Sequence, residues 1–417
     1  MSQNCEKDFA NVVTVICMEN KHQAHDLVQM QSLPLEAKIR MTKERIEAWY
    51  QAWVRYEIEN LDTGKTRFVT WDNRDYQEPP LKENEWIRSA LPGAVYVSFS
   101  GGKDSTVLKH IVDSMYDDVP ALFVNTGLEY PEIQAFAKRV QRGEFECFNP
   151  DVEIVRPEIR FDEVIKTYGY PVISKEVAHK IHDATSARRN GNFDSYAERQ
   201  FNGTYTSRNG KTSMVNIEKW KFLLDAPFGA SHKCCDVMKK KPAKAYGKAT
   251  GRMPIIGTLA AESKLRFQKW LHEGCNAFDS KRPTSQPLSF WTEQDILHYI
   301  KKYDVPYCSV YGDIQVKRTV DNDRVIDGQM NLIDYLQCYE PEDTLETSGC
   351  DRTGCIFCMF GCHLEKEPNR FQRLKQTHPR QYEYCIGGGE MVDGKWQPNK
   401  EGLGLGHVLD YIGVKYE

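Results

Sequence analysis

Apolar side chains recur through residues 33–60 at close to helical spacing: Leu33, Ile39, Ile46, Trp49, Trp53 and Ile58 stand among Glu, Lys and Arg. One apolar residue every three or four positions lines a single helix face, so this segment is expected to be helical. Residues 62–85, with a DTGK turn and paired prolines, read as a small irregular or β element. From residue 94 the pattern changes. Short apolar runs at 94–99 (AVYVSF), 121–124 (ALFV) and 152–155 (VEIV) alternate with amphipathic stretches at 106–116 (TVLKHIVDSMY) and 131–140. Such runs predict strands buried on both faces, and their alternation with helices predicts a doubly wound α/β fold with a mostly parallel sheet. Ile255 and Ile256 open a further strand, and residues 292–301 read as a helix capped by Thr292 or Ser289. Trp270, Phe290 and Trp291 read as core. The expected organisation is an N-terminal helical or irregular extension over 1–90, an α/β domain over 91–310 and a Cys-rich region over 311–417.

With 417 residues, 40% of them hydrophobic, the chain can bury a sizeable core. A formal net charge of −4 gives no overall attraction to nucleic acid, so any polyanion must meet a local basic patch. One such patch falls at 183–215, where Arg188, Arg189, Arg199, Arg208 and Lys211 interrupt a tract rich in Asn, Ser, Gly and Thr. It reads either as a solvated insertion or as a mobile basic lid over a phosphate-bearing substrate. A basic helix around Phe371, Arg373, Lys375, His378 and Arg380 either meets nucleic acid or faces water. The early apolar run at 12–18 is too short for a signal-peptide core or a membrane span, so a cytoplasmic protein with no membrane association is expected. Thirteen cysteines, clustered rather than spread, then point to metal or redox chemistry more than to disulfides.

The most specific local signal is Ser100-Gly101-Gly102-Lys103-Asp104-Ser105, placed after a strand and before a helix. Glycines let the backbone approach an anion, and N–H groups at the helix start supply donors and a favourable dipole. Ser100 and Ser105 add hydroxyls and Lys103 a positive charge, while Asp104 either orients the loop or helps hold Mg²⁺. The spacing is not that of a Walker A loop. A second loop, Asn125-Thr126-Gly127-Leu128-Glu129-Tyr130-Pro131-Glu132, follows the next strand at its carboxyl end, where open parallel sheets bind ligands.

These pieces make the chain resemble the phosphoadenosine phosphosulfate (PAPS) reductase family of the PP-loop ATP pyrophosphatase superfamily. The resemblance runs in order through SFSGGKDS, VNTGLEYPE, His232-Lys233-Cys234-Cys235 with Lys239 and Pro242, GTLAAESKLR from 257, and PLSFWTEQDILHYIKKYDVPY from 287. It implies an adenine-nucleotide α-hydrolase-like fold. It also implies that Ser98, Ser100, Gly101, Gly102, Lys103, Asp104, Ser105, Asn125, Thr126, Gly127, Glu129, Gly257, Glu262 and Ser263 bind the nucleotide, with Lys103, Asp104 and Arg266 carrying the chemistry. Two departures stand out. Leu259 occupies a position where the family usually has arginine, and the C-terminal Glu-Cys-Gly-Leu-His segment of the reductases is not found; Cys385 is the last cysteine.

Cys355 and Cys358 form a CxxC flanked by Cys350 and Cys362, and a closed metal site needs four such ligands. From the residues alone, Cys350, Cys355, Cys358 and Cys362 can make a zinc site, or the CxxC can be redox-active without metal. The resemblance to adenylyl-sulfate reductases implies instead a 4Fe–4S cluster on Cys234, Cys235, Cys355 and Cys358. Lys239, Lys240 and Lys241 either bring charge to cluster or phosphates or face solvent. His179, His182 and His232 read as structural or solvent-facing.

Three functions compete. The first is adenylation by ATP with Mg²⁺, releasing pyrophosphate, coupled to sulfur transfer to tRNA or DNA from a sulfur donor. The second is reduction of adenylyl sulfate or its 3′-phosphate to sulfite with a thioredoxin-like reductant, Cys385 or Cys362 acting as nucleophile. The third is a non-catalytic nucleotide-sensing or nucleic-acid-binding protein. An oligomer is compatible with each.

Overall fold

The computed structural model describes residues 22–206, 217–317 and 343–417. The apolar run at 12–18, Arg208, Lys211 and Cys338 lie outside the described residues. The chain groups into two units, each discontinuous in sequence: Met1–Phe123, Pro131–Ile154 and Tyr246–Arg352 form the first, and Val124–Tyr130, Val155–Ala245 and Thr353–Glu417 the second.

In the first unit a short helix, Ala24–Gln31, precedes the helix Leu35–Ala52, which stops short of the expected residue 60. From Trp53 the period falls from 3.6 to two: Val54, Tyr56 and Ile58 are buried while Arg55 and Glu57 turn outward, and the segment forms strand β1, Trp53–Asn60. Strands β2 (Thr66–Asp72) and β3 (Glu85–Leu91) pair with it antiparallel in the order β2-β1-β3, so residues 62–85 supply the expected β element. Two contacts fix the helix to the core. Lys38 Nζ lies 2.7 Å from the Asp295 carboxylate, and Trp291 Nε1 donates to Thr42 Oγ1 at 2.9 Å.

The central sheet follows the expected α/β pattern. Strands β4 (Val95–Ser98), β5 (Ala121–Val124), β6 (Val152–Val155), β7 (Met253–Ile256), β8 (Asn276–Ala277) and β9 (Thr284–Ser285) stand in the order β6-β5-β4-β7-β9-β8. β4 runs parallel to β5 and β7, β7 parallel to β9, and β8 antiparallel to β9. Val95, Val97, Ala121 and Ile255 are fully buried, which is why these strands read as unbroken apolar runs. Helix Lys103–Asp113 turns Val107, Leu108, Ile111 and Val112 inward, and Pro131–Gln141 does so with Ile133, Phe136, Ala137 and Val140. Thr292 caps helix Glu293–Lys302, its hydroxyl accepting from the Asp295 N–H. Trp270, Phe290 and Trp291 are core residues, as expected. The strand order reverses between β4 and β7, whose carboxyl ends lead into Ser100–Ser105 and Gly257.

The second unit buries Val164, Tyr170, Ile181, Phe201, Met359, Phe371, Cys385 and Leu409 in one core. The described part of the basic insertion is a pair of helices, Lys175–Arg189 and Tyr196–Phe201, capped by Ser174 and Ser195. Arg188 spends its guanidinium on Glu198 and Asp225, at 2.6 and 3.0 Å. Among the described residues, Arg188 is thus paired, once within the insertion and once with the segment after it. Among the described residues no helix is long and apolar enough to cross a membrane.

Candidate nucleotide and thiol sites

In the first unit, β4 ends at Ser98 and the chain turns into helix Lys103–Asp113 through Ser100, Gly101 and Gly102. Gly101 takes φ +72°, and a Cβ there would stand 2.9 Å from Ile133 Cγ2, so glycine is required on both counts. The Ser100 N–H donates to Ser105 Oγ at 3.1 Å, and Ser105 Oγ donates to the Gly102 carbonyl at 2.9 Å, so the serines close the loop on itself. No side chain caps the helix at Gly102, which leaves its N-terminal dipole turned to the loop. The Lys103 N–H donates to the Tyr311 hydroxyl at 3.1 Å.

Charges gather around this loop. Lys103 Nζ, buried with its side chain 6% exposed, lies 2.7 Å from Glu293 Oε1 and donates to the Asp351 carbonyl. Burial pushes the Asp104 carboxyl up against the opposing pull of Lys103, Arg352 and Arg266. Asp104 Oδ1 is buried and has no hydrogen-bond partner among the described residues. Glu262 pairs with both Arg266 and Arg352, the latter at 3.0 Å. Ser263 caps helix Lys264–Glu273 by accepting from the Arg266 N–H at 3.3 Å. Gly257 packs against the start of the Lys103–Asp113 helix. Ser98, Ser100–Ser105, Gly257, Glu262, Ser263 and Arg266 therefore all belong to this unit. Glu293, Tyr311 and Arg352 join it without having been singled out in the sequence. Arg352 was masked by its position inside a cysteine-rich stretch, and Glu293 by its look of an ordinary first-turn helix acid.

Asn125, Thr126, Gly127 and Glu129 lie in the second unit and hold one another. The Thr126 N–H and Oγ1 donate to the Glu129 carboxylate at 3.0 and 2.7 Å, and the Gly127 N–H donates to Asn125 Oδ1 at 3.1 Å. Lys239 Nζ stands 3.9 Å from Glu129 and also hydrogen-bonds Cys355, and these partners hold its pKa up against burial. Of the three lysines after the Cys-Cys pair, Lys239 alone meets both the loop and a thiol; Lys240 pairs with Asp236 and Lys241 with Glu158.

The thiols of Cys234 and Cys235 are 3.9 Å apart, immediately before a π-helical turn at Asp236–Lys240. Cys355 and Cys358 sit on a tight turn closed by the Cys358 N–H to the Cys355 carbonyl at 3.0 Å, and the Ile356 N–H donates to the Leu128 carbonyl at 2.8 Å. Arg370 fixes the far side of that turn, donating to the Cys358 carbonyl at 2.8 Å while paired with Glu365. The four thiols sense one another. The hydrogen bond that Cys234 donates to Cys235, together with burial, raises Cys234, with Cys358 and Cys355 adding to the effect. Burial brings Cys355 up to about 11 despite Lys239. Cys235 is the exception: its partner Cys234 and the cations Lys175, Lys239 and Lys240 lower it. As the side chains stand, no group of three or more His, Cys, Asp or Glu among the described residues is arranged to hold a metal ion. Cys350 belongs to the first unit and Cys362 to the second. Cys362 and Cys385 are 1% and 0% exposed, and burial pushes both thiols up, Cys362 to about 12.

His179 and His232 meet at a tilt, their ring centroids 4.1 Å apart, and His179 lies 3.2 Å from the Asp183 carboxylate. In the basic C-terminal helix Arg370–Thr377, Arg370 and Arg373 both turn to Glu365.

A search of solved structures aligns the chain with phosphoadenylyl-sulfate (PAPS) reductase from Candida auris in its phosphate complex, at 14% identity and a TM-score of 0.27, over 51% of this chain and 75% of that one. An uncharacterized protein of Methanocaldococcus jannaschii, MJ0973, is 29% identical over 105 residues, which is 25% of this chain. The match spans about a fifth of that relative's length (20%). The phosphoadenosine phosphosulfate reductase domain matches residues 94–194 and 193–359, well over half of the sequence and all of the Ser100–Ser105 loop, the Cys-Cys pair and the CxxC. The chain belongs to the phosphoadenosine phosphosulfate reductase domain family.

Proposed function

We propose that the protein uses ATP to adenylate an oxygen of an acceptor and then replaces that oxygen with sulfur. The observation that carries this reading is Asp104, whose carboxylate oxygen is buried and unpartnered beside Lys103 and Arg266 at an uncapped helix N-terminus. An orphaned buried acceptor costs stability unless a ligand satisfies it, and a cation escorting a polyphosphate does so. The acceptor oxygen attacks the α-phosphorus, the bond to the β-phosphate oxygen breaks, and pyrophosphate leaves. Lys103 and Arg266 neutralise the charge that grows on that leaving group. Mg²⁺ bound with the ATP would sit against Asp104 and supply further charge neutralisation. A sulfide-level nucleophile then displaces AMP from the activated carbon. The acceptor class is a nucleobase carbonyl of tRNA or DNA.

In this reading Cys234, Cys235, Cys355 and Cys358 are the residues that would hold a 4Fe–4S cluster. Four thiolates need compensating charge, and Lys175, Lys239 and Lys240 already act on this group. The cluster would supply a sulfur or electron carrier, or a structural anchor. Reduction of adenylyl sulfate to sulfite is the second reading, favoured by the family itself. It needs an accessible thiolate to attack the sulfate sulfur, and neither Cys362 nor Cys385 offers one.

Anaerobically purified protein assayed with ATP, Mg²⁺, a sulfide source and unmodified tRNA or DNA should release pyrophosphate only when nucleic acid is present. Sulfite from adenylyl sulfate and dithiothreitol, with no such release, would transfer the assignment to the reductase.

A further inference from the structure

We propose that Arg352, together with Arg266, holds the anionic group that a bound nucleotide carries beyond the phosphate seated on the Ser100–Ser105 loop. The ligand class is an adenylate bearing a second acidic group, either the polyphosphate of ATP or the sulfate of adenylyl sulfate. The inference rests on the nucleotide reading above and adds to it a residue and a discrimination.

The backbone is placed first. The Gly349 N–H donates to the Tyr311 carbonyl at 2.9 Å and the Cys350 N–H to the Val310 carbonyl at 3.0 Å. A Cβ on Gly349 would stand 2.5 Å from the Val310 carbonyl, so only glycine permits this approach. The next residue, Asp351, accepts from Lys103 Nζ through its carbonyl. Arg352 is thus delivered to the loop lysine by a pinned segment. Its guanidinium lies 3.0 Å from Glu262, the same carboxylate that pairs with Arg266. Two guanidiniums share the Glu262 carboxylate, and burial together with the charge of Arg352 depresses the Arg266 pKa against the opposing pull of Asp104. An anion between them relieves that repulsion. Leu259, buried in the turn before Glu262, supplies no charge of its own. The Arg352 side chain is 57% exposed, free to meet an entering ligand.

The test is titration calorimetry of AMP, ATP with Mg²⁺, and adenylyl sulfate against wild type, Arg352→Ala and Arg352→Lys. Loss of one charge-assisted contact should weaken ATP or adenylyl sulfate by about 10- to 100-fold. AMP should change by less than about threefold. Arg352→Lys should restore part of the affinity, and it also serves if the alanine variant is unstable. Which of the two ligands loses more identifies the second group. Equal loss for AMP, or no loss for any ligand, overturns the role of Arg352. A wild type that binds none of the three removes the nucleotide reading itself, and the proposal with it.

Discussion

Gly257 presses its Cα against the first turn of the phosphate-loop helix: a Cβ there would stand 3.0 Å from the Asp104 carbonyl and 3.1 Å from Ser105 Cα. The obstacles are backbone atoms, which cannot rotate aside. Gly257→Ala should therefore push the loop away from β7, at a cost of about 1–3 kcal/mol in stability. Because Asp104 and Ser105 move with it, ATP affinity should fall further than stability alone explains. Urea unfolding and calorimetry on the same variant check both, and unchanged binding would show that the loop tolerates the shift.

Lys103 is held by Glu293, 2.7 Å away and half exposed. A phosphate must compete with that carboxylate. Glu293→Gln should tighten ATP binding by about two- to fivefold, the value of a partly exposed pair. Lys103→Ala should weaken it by at least about tenfold. A looser Glu293→Gln complex would mean that the carboxylate serves the bound state, through the metal or the acceptor.

The thiol site makes a compositional prediction. Protein purified without oxygen should carry about four irons and four acid-labile sulfides per chain, lost in Cys234→Ala or Cys358→Ala. Cys385→Ala should keep them, since that thiol is fully buried in the second unit's core and away from solvent. Its only cost should be a small cavity, about 1 kcal/mol by urea unfolding. One zinc without sulfide, retained in Cys234→Ala, would reduce the CxxC region to a structural knot.

Strand-to-helix periodicity made β4, β5 and β6 readable almost to the residue, because a fully buried parallel strand is an apolar run with little else to mimic it. The Ser100–Ser105 turn was equally legible as a strand-to-helix connection, because two glycines and two serines sit between an apolar run and an amphipathic stretch. The N-terminal segment was misread past Ala52, since Trp49 and Trp53 extend the helical spacing while Val54, Tyr56 and Ile58 alternate, and the aromatic pair hid the change of period. Arg352 and Tyr311 were invisible for another reason. They lie 249 and 208 residues from Lys103 in sequence but share its unit, and no local pattern encodes a contact of that range. One arginine of the insertion was hard to place for the same reason: Arg188 looks available in sequence, yet Glu198 and Asp225 pair with it.

The N-terminal helix carries no chemistry, yet it should matter to folding. Lys38 and Asp295 form an ion pair with side chains only 3% and 12% exposed, joining the Leu35–Ala52 helix to the Glu293–Lys302 helix. Asp295 also caps its own helix by accepting from the Thr292 N–H at 2.6 Å. Lys38→Met leaves a buried carboxylate without its cation and should cost about 3–5 kcal/mol. The double variant Lys38→Met with Asp295→Asn keeps an acceptor for Thr292, removes the unpaired charge, and should recover most of that loss. Urea midpoints of the two variants decide it: if the double variant is no more stable than Lys38→Met, packing of the lysine stem, and not its charge, is what joins the two helices.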